Sequence, residues 1–261
     1  MKAALRLAGA PAILGLAVLL LWQAAVRVLR VPDYILPGPA AILAALWRDG
    51  GTLFASLLVT LAIALAALAA AIVGGAGLAI LFAQSKWLER ALFPYAVILQ
   101  VTPIIAIAPL ILIYVPSTEA ALLICATIVA FFPVLVGTTT GLNAADHNML
   151  DLMALYRARR WQVLWYLRLP AALPHFLAGV RIAGGLALIG AVVAEFAAGT
   201  AAGGSGLAWR ILESSYRLDL PRMYAALFLL SFAGVLIFAL LSLASWLLLH
   251  RWHDSAARRE P

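Results

Sequence analysis

The stretch best equipped for specific polar chemistry is Asp151 to Pro170, DLMALYRARRWQVLWYLRLP. It carries the carboxylate of Asp151 and the guanidinium groups of Arg157, Arg159, Arg160 and Arg168. Trp161, Leu164, Trp165, Tyr166 and Leu169 are interleaved with them. Guanidinium groups make charge-assisted hydrogen bonds to carboxylates, so this composition suits docking rather than bond making. Read as a helix, Met153, Leu155, Leu164 and Leu167 alternate with the basic positions at roughly helical spacing. Leu169-Pro170, with Pro174 following, should stop or kink that helix. A basic amphipathic helix between two apolar segments can lie on a membrane or dock on a soluble partner.

Other reactive side chains are sparse. There is no G-x-x-x-x-G-K-[ST] loop to cradle the phosphates of ATP. His147 and His175 are far apart and His250 and His253 adjoin the basic tail, so no pair has zinc spacing and no metal is expected. Gly204-Ser205-Gly206 lacks the G-x-S-x-G frame of a serine hydrolase. The chain alone is expected to catalyse nothing and to hold no cofactor. Glu195 is the one acidic residue directly continuous with an apolar span. An ionisable group at membrane depth is costly and points to function, here as a gate or an anchor for the Gly-rich stretch that follows. At the mouth of a span it could equally be a solvated interfacial charge.

The elements that must position these residues are membrane-grade. Of 261 residues, 66% are hydrophobic and 11% charged, with mean hydropathy +1.05. Soluble domains hold about 25% charged residues, so this is an integral membrane protein and one helical bundle. The net charge of +7 is placed at segment ends and in loops, which fits membrane topology rather than nucleic-acid binding. Cys125 is alone in an apolar run, which excludes a disulfide within the chain.

Taken in order, the apolar runs predict six spans, near residues 8–29, 53–82, 92–115, 120–141, 176–194 and 223–249. The first is longer than a signal-peptide core and has no clear cleavage site, so it is read as an uncleaved span. Pro39 to Trp47 is too short to cross and predicts a separate interfacial helix, before Gly50-Gly51. Gly74, Gly75, Gly77, Gly179, Gly184, Gly185 and Gly190 suit close helix packing. Pro94, Pro103 and Pro109 bend or break the third span, which is either a plain kinked helix or one that lines a cavity. The loop 142–173 holds the basic stretch.

Six spans put both termini on one side. With the N-terminus inside, twelve basic residues are cytoplasmic: Lys2, Arg6, Lys86, Arg90, Arg157, Arg159, Arg160, Arg168, Arg181, Arg251, Arg258 and Arg259. Six are outside: Arg27, Arg30, Arg48, Arg210, Arg217 and Arg222. The excess favours that orientation and makes 142–173 cytoplasmic.

The spacing in the basic stretch resembles the docking loop of permease subunits of ATP-binding-cassette importers, E-A-A-x3-G-x9-I-x-L-P. Asp151, Leu152 and Met153 fall on E-A-A, Arg157 on G, Leu167 on I, Leu169 on L and Pro170 on P. Arg157 departs from the motif's glycine, and either a continuous helix replaces the turn or Arg157 takes an ordinary conformation and contacts acidic groups of the partner. AFFPVLVGTTTGL (Ala130–Leu142) and Leu169–Phe196 are similar to the branch that imports nitrate, sulfonate, taurine or thiamine precursors. TPIIAIAPL (Thr102–Leu110) and the segment Tyr216–Leu230 lean towards thiamine-precursor pyrimidine or riboflavin-type relatives.

This resemblance implies an all-α type I importer permease of six spans with a cytoplasmic coupling helix, in a bacterial inner membrane. Implied partners are a second permease copy, a substrate-binding protein and two ATPase subunits that hold the ATP and magnesium. It makes Asp151, Leu152, Met153, Leu155, Tyr156, Arg157, Leu169 and Pro170 the ATPase-docking residues. Thr102, Pro103, Pro109 and Glu195 become pathway or gate candidates, and Arg210, Arg217 and Arg222 either meet acids of the binding protein or are solvated. An ion-gradient transporter and a non-transporting membrane scaffold are the alternatives.

Overall fold

The computed structural model describes residues 2–199 and 206–250, with side chains from residue 13 onward in the first helix. The chain is an all-α membrane protein. Its helices are α1 (Lys2–Val28), α2 (Pro39–Gln84), α3 (Lys86–Val101), α4 (Ile104–Tyr114), α5 (Thr118–Asn143), α6 (His147–Leu155), α7 (Arg160–Val163), α8 (Leu169–Ala198), α9 (Leu207–Tyr216) and α10 (Leu220–Leu249). A π-helical turn, Leu164–Arg168, joins α7 to α8. Among the described residues four helices are long and apolar enough to cross a membrane, and five if α3 and α4 form one broken span. The described apolar part of α1, Ile13–Val28, is shorter than that measure. The basic tail and most of the Gly-rich stretch, including Gly203, Gly204, Ser205, Arg251, His253, Arg258 and Arg259, lie outside the described residues.

The chain forms two compact units, Met1–Leu58 with Gly204–Ser231, and Val59–Gly203 with Phe232–Pro261. In the first, the Gln23 carboxamide accepts from the Ala40 amide at 2.9 Å and so caps the opening turn of α2. Trp22 packs on Tyr224 and Phe228. The expected interfacial helix at Pro39–Trp47 is not separate. It runs on without a break into the second span, giving a 46-residue α2, about 69 Å at the α-helical rise. Pro39 sits at the first helical residue, where its missing N–H costs nothing. Gly50 and Gly51 stay helical, because the alanine- and leucine-rich sequence on both sides propagates through them.

In the second unit α5 and α8 pack antiparallel with their backbones in contact. Numbers fall along α5 as they rise along α8: Gly141 meets Ala172, Gly137 meets His175, Pro133 meets Gly179 and Ala126 meets Gly190. A Cβ on Gly179 would lie 2.5 Å from the Pro133 carbonyl oxygen, and one on Gly141 2.7 Å from the Ala172 Cα. Small residues allow this approach, which drives helix association where lipid replaces water. Around the pair are the buried Leu68, Ala71, Ala130, Val134, Val180 and Ala183. Nearer the docking loop lie Phe82, Leu135, Leu142 and Leu164. Gly77 and Gly185, expected at packing contacts, face open space.

The third span is no plain kinked helix: α3 and α4 meet at 100°. Thr102, which precedes a proline, is extended (φ −68, ψ 122), as is Pro103. Pro94 and Pro109 are accommodated inside their helices. The fifth span starts earlier than expected, because the helix does not stop at Leu169-Pro170 but continues to Ala198. The π-turn accounts for this. The Leu169 amide bonds back five residues to the Leu164 carbonyl, so the widened turn makes room for the pyrrolidine ring of Pro170.

Gly179→Ala should lower the stability of the solubilised protein by about 1–3 kcal/mol through overpacking. Gly185→Ala should be neutral. Thermal melting followed by size-exclusion chromatography checks both, and equal midpoints for the two variants would contradict the packing described.

Candidate functional site

The docking stretch is built as a tip and a foot. Asp146 caps α6, its carboxylate accepting from the Asn148 amide at 2.9 Å. No residue of α6 is buried. Met149, Leu152 and Leu155 recur every third position and are all exposed, and Leu155 and Tyr156 are 81% and 80% exposed at the tip. Asp151 is exposed and Met153 half-buried. An apolar face left open at the end of a short capped helix is the kind of surface that marks an interaction site.

The chain then reverses. The Arg157 amide donates to the Ala154 carbonyl at 2.9 Å, and the Ala158 amide to the Met153 carbonyl at 2.9 Å. This pair of bonds is the Schellman arrangement, with the left-handed residue at the first position past the helix cap. That residue is Arg157, at φ 51. Both conformations expected for it are thereby corrected. The helix is not continuous, and Arg157 is not in an ordinary conformation. The turn forms with an arginine where glycine is favoured, at about 1–2 kcal/mol for the Cβ, because two backbone bonds and the following cap hold it. That cap is the Gln162 side chain, which accepts from the Arg159 amide at 2.7 Å.

The foot is the π-turn and the start of α8. Leu164 is buried, Leu169 packs half-buried beside the cluster containing Phe82 and Ala172, and Pro170 is exposed. The Arg168 guanidinium donates to the Ala83 carbonyl at 3.2 Å, tying the foot to the end of α2. The eight residues expected to dock therefore divide. Asp151, Leu152, Met153, Leu155, Tyr156 and Arg157 form the exposed tip, while Leu169 and Pro170 belong to the anchoring foot.

The pathway candidates also divide. Thr102 spends its hydroxyl on the Ile98 carbonyl at 2.7 Å, and Pro103 and Pro109 are exposed on the bent pair. Ala108 of α4 packs in one cluster with Leu122, Cys125, Ala194 and Ala198, beside Glu195 in sequence. Glu195 itself is 1% exposed, which overturns the solvated interfacial reading. Its carboxylate accepts from the Thr60 hydroxyl at 2.7 Å, and Thr60 is fully buried. A carboxylate enclosed by apolar helices is retained only with hydrogen-bond partners. Sequence reasoning missed Thr60, although a hydroxyl isolated in the apolar run LLVTLAIAL was a visible signal.

Arg210, Arg217 and Arg222 converge on an acid within their own unit. Arg210 bonds Glu213 at 3.0 Å and Ser56 at 3.1 Å. Arg217 reaches Glu213 at 2.9 Å and Arg222 at 3.6 Å. The Arg210 hydrogen bond, with the fields of Arg217 and Arg222, holds the Glu213 carboxyl below its usual range against the opposing effect of burial. The Arg222 side chain is 13% exposed and that of Arg217 68%, so Arg217 is the member of this network most open to solvent.

Residues 71–259 match the family described as binding-protein-dependent transport system inner membrane component. The riboflavin transport system permease protein of Chloroflexus aurantiacus is 33% identical over 91% of this chain and 87% of its own length. The formylaminopyrimidine transport permease protein of Halalkalibacterium halodurans is 32% identical over 88% and 90%. A putative aliphatic sulfonates transport permease protein of Bacillus subtilis is 28% identical over 91% and 85%. The crystal structure of an amino acid ABC transporter with histidines shares the fold, with a TM-score of 0.63 at 17% identity over 77% of this chain and 96% of that one. A capped helix ending in a left-handed turn at the motif's glycine position and a family match over most of the sequence agree: the chain belongs to the binding-protein-dependent transport system inner membrane component family, the permeases of ATP-binding-cassette importers.

Proposed function

We propose that this permease lines a solute pathway and is driven by separate ATPase subunits that grip the tip Asp151–Arg157. The observation that carries the reading is the pair Leu155 and Tyr156, large and apolar and about four-fifths exposed on a rigid turn. Buried aromatic and apolar anchors dominate protein interfaces, and here they are presented rather than buried. In the assembly two ATPases each take one tip, a second permease copy completes the pathway, and a substrate-binding protein delivers the solute. The excess of basic residues in 142–173 and at the termini supports a cytoplasmic side for both termini and the tip. Six spans follow if α1 crosses and α3 with α4 makes one broken span. The solute is a small organic compound, of the riboflavin or formylaminopyrimidine kind named for the relatives with about one-third identity. Nitrate, taurine and sulfonates are the other candidates.

Replacing Leu155 and Tyr156 together by Asp should reduce co-purification of the ATPase at least about tenfold, the loss of one or two interface anchors. Insertion and folding of the permease should survive. Arg157→Gly restores the residue the left-handed turn favours and should retain the ATPase while raising the melting temperature. Full ATPase retention in the Leu155/Tyr156 variant would remove the tip from the interface.

Glu195 is assigned to the moving part of the bundle, since it joins α8 to the α2 hydroxyl of Thr60 beside the bent α3–α4 pair. Glu195→Gln keeps size and one hydrogen bond. Transport measured with a radiolabelled solute should fall at least about tenfold, equivalent to one buried charge-assisted bond, with assembly intact. Unchanged uptake would make the carboxylate purely structural.

A further inference from the structure

A second polar site lies beside the docking stretch and is not part of the tip. A cleft of about 540 Å³ opens between the Gln84–Lys86 turn and the segment from Ala158 to Arg168. Lys86, Arg160 and Arg168 line it, Val163 and Leu164 form its apolar wall, and no carboxylate is in its lining. We propose that this cleft binds the phosphate of an anionic phospholipid headgroup.

The two arginines keep donors to spare. Arg160 makes no ion pair or side-chain hydrogen bond among the described residues. Arg168 gives one bond, to the Ala83 carbonyl, of the five N–H donors a guanidinium carries. Its Nε is enclosed without an acceptor. Lys86 is shared with Glu89 at 2.8 Å and the Asn143 carboxamide at 3.3 Å, so one of the three charges is balanced and two are not. Ser85 caps the 16-residue α3, its hydroxyl oxygen accepting from the Leu88 amide at 3.3 Å. Ser85 and Lys86, where α3 begins, are both in the cleft lining. Glu89 already answers Lys86 and the start of α3, so the guanidinium groups of Arg160 and Arg168 are the ones left to match a tetrahedral phosphate.

The surroundings select lipid over a soluble anion. Trp87, Trp161, Trp165 and Tyr166 flank the cleft in sequence and are 76%, 51%, 64% and 68% exposed. Amphipathic aromatic rings collect at headgroup depth, and basic pockets between spanning helices hold anionic headgroups. A second cleft, lined by Lys86, Glu89, Arg90, Phe93 and Pro94, shares Lys86 with the first. The site rests on this local geometry and stands whether or not the ATPase assignment above holds.

The full-length chain in nanodiscs of mixed phosphatidylglycerol and phosphatidylcholine, released and weighed by native mass spectrometry, tests it. The wild type should retain phosphatidylglycerol preferentially. Arg160→Gln with Arg168→Gln should weaken that retention about thirtyfold, the loss of two basic residues near a membrane surface. Because Arg168 also ties the foot to α2, Arg160→Gln alone is the second variant and should lose about fivefold with an unchanged melting temperature. Arg217→Gln, in the other unit, should change nothing. Equal retention of the two lipids, or unchanged preference in Arg160→Gln, would overturn the site. Stabilisation of lipid-free protein by millimolar inorganic phosphate, lost in Arg160→Gln and without any lipid preference, would overturn the lipid in favour of a soluble phosphate.

Discussion

The close antiparallel contact of α5 and α8 is the constraint on which the rest depends. At Gly141–Ala172 and Gly179–Pro133 backbone lies on backbone, with no side chain between to absorb displacement. The docking stretch is the connection between these two helices: α5 ends at Asn143, and α8 begins at Leu169. Both ends of the connection are therefore fixed by one packed pair, and close-packed interiors transmit strain instead of dissipating it. In the proposed assembly a pull on the tip becomes a movement of α5 and α8 as one body. Glu195 lies near the far end of α8, where its bond to Thr60 couples that body to α2.

The tip is a rigid handle for local reasons. The Asp146 cap, the two Schellman bonds and the Gln162 cap satisfy backbone groups that a short helix would otherwise expose. An arginine in left-handed conformation persists because those bonds specify the turn more strongly than the Cβ opposes it. The glycine of the motif would take this left-handed shape most cheaply, and here an arginine takes it.

Most of the fold class was legible in the sequence, because membrane spans are written as long apolar runs, and α5 and α10 appear close to their expected places. The docking stretch was legible as a motif but not as a conformation. Spacing places Arg157 on the glycine, yet a side chain with a Cβ gives no local sign that its φ is positive. The proline at 170 misled for a similar reason, since its effect depends on the π-turn before it. Glu195 was visible as costly, but its depth and its Thr60 partner come from a contact 135 residues apart. The arginines at 210, 217 and 222 read as contacts to a binding protein or as solvated charge; the three- and four-residue spacing of Arg210 and Arg217 from Glu213 was a visible signal, and only the Arg222 contact needs the start of α10 brought to α9.

The central claim is that motion at the Asp151–Arg157 tip is what drives solute across the bundle. The most direct measurement is accumulation of labelled solute in proteoliposomes holding this chain with its ATPase and binding protein, compared with a version whose residues 147–158 are replaced by a Gly-Ser segment of equal length. Accumulation should require ATP and should vanish in the replaced version while the helical content and melting of the bundle persist. Accumulation driven by an ion gradient without ATP, or ATP-driven accumulation undiminished by the replacement, would contradict it.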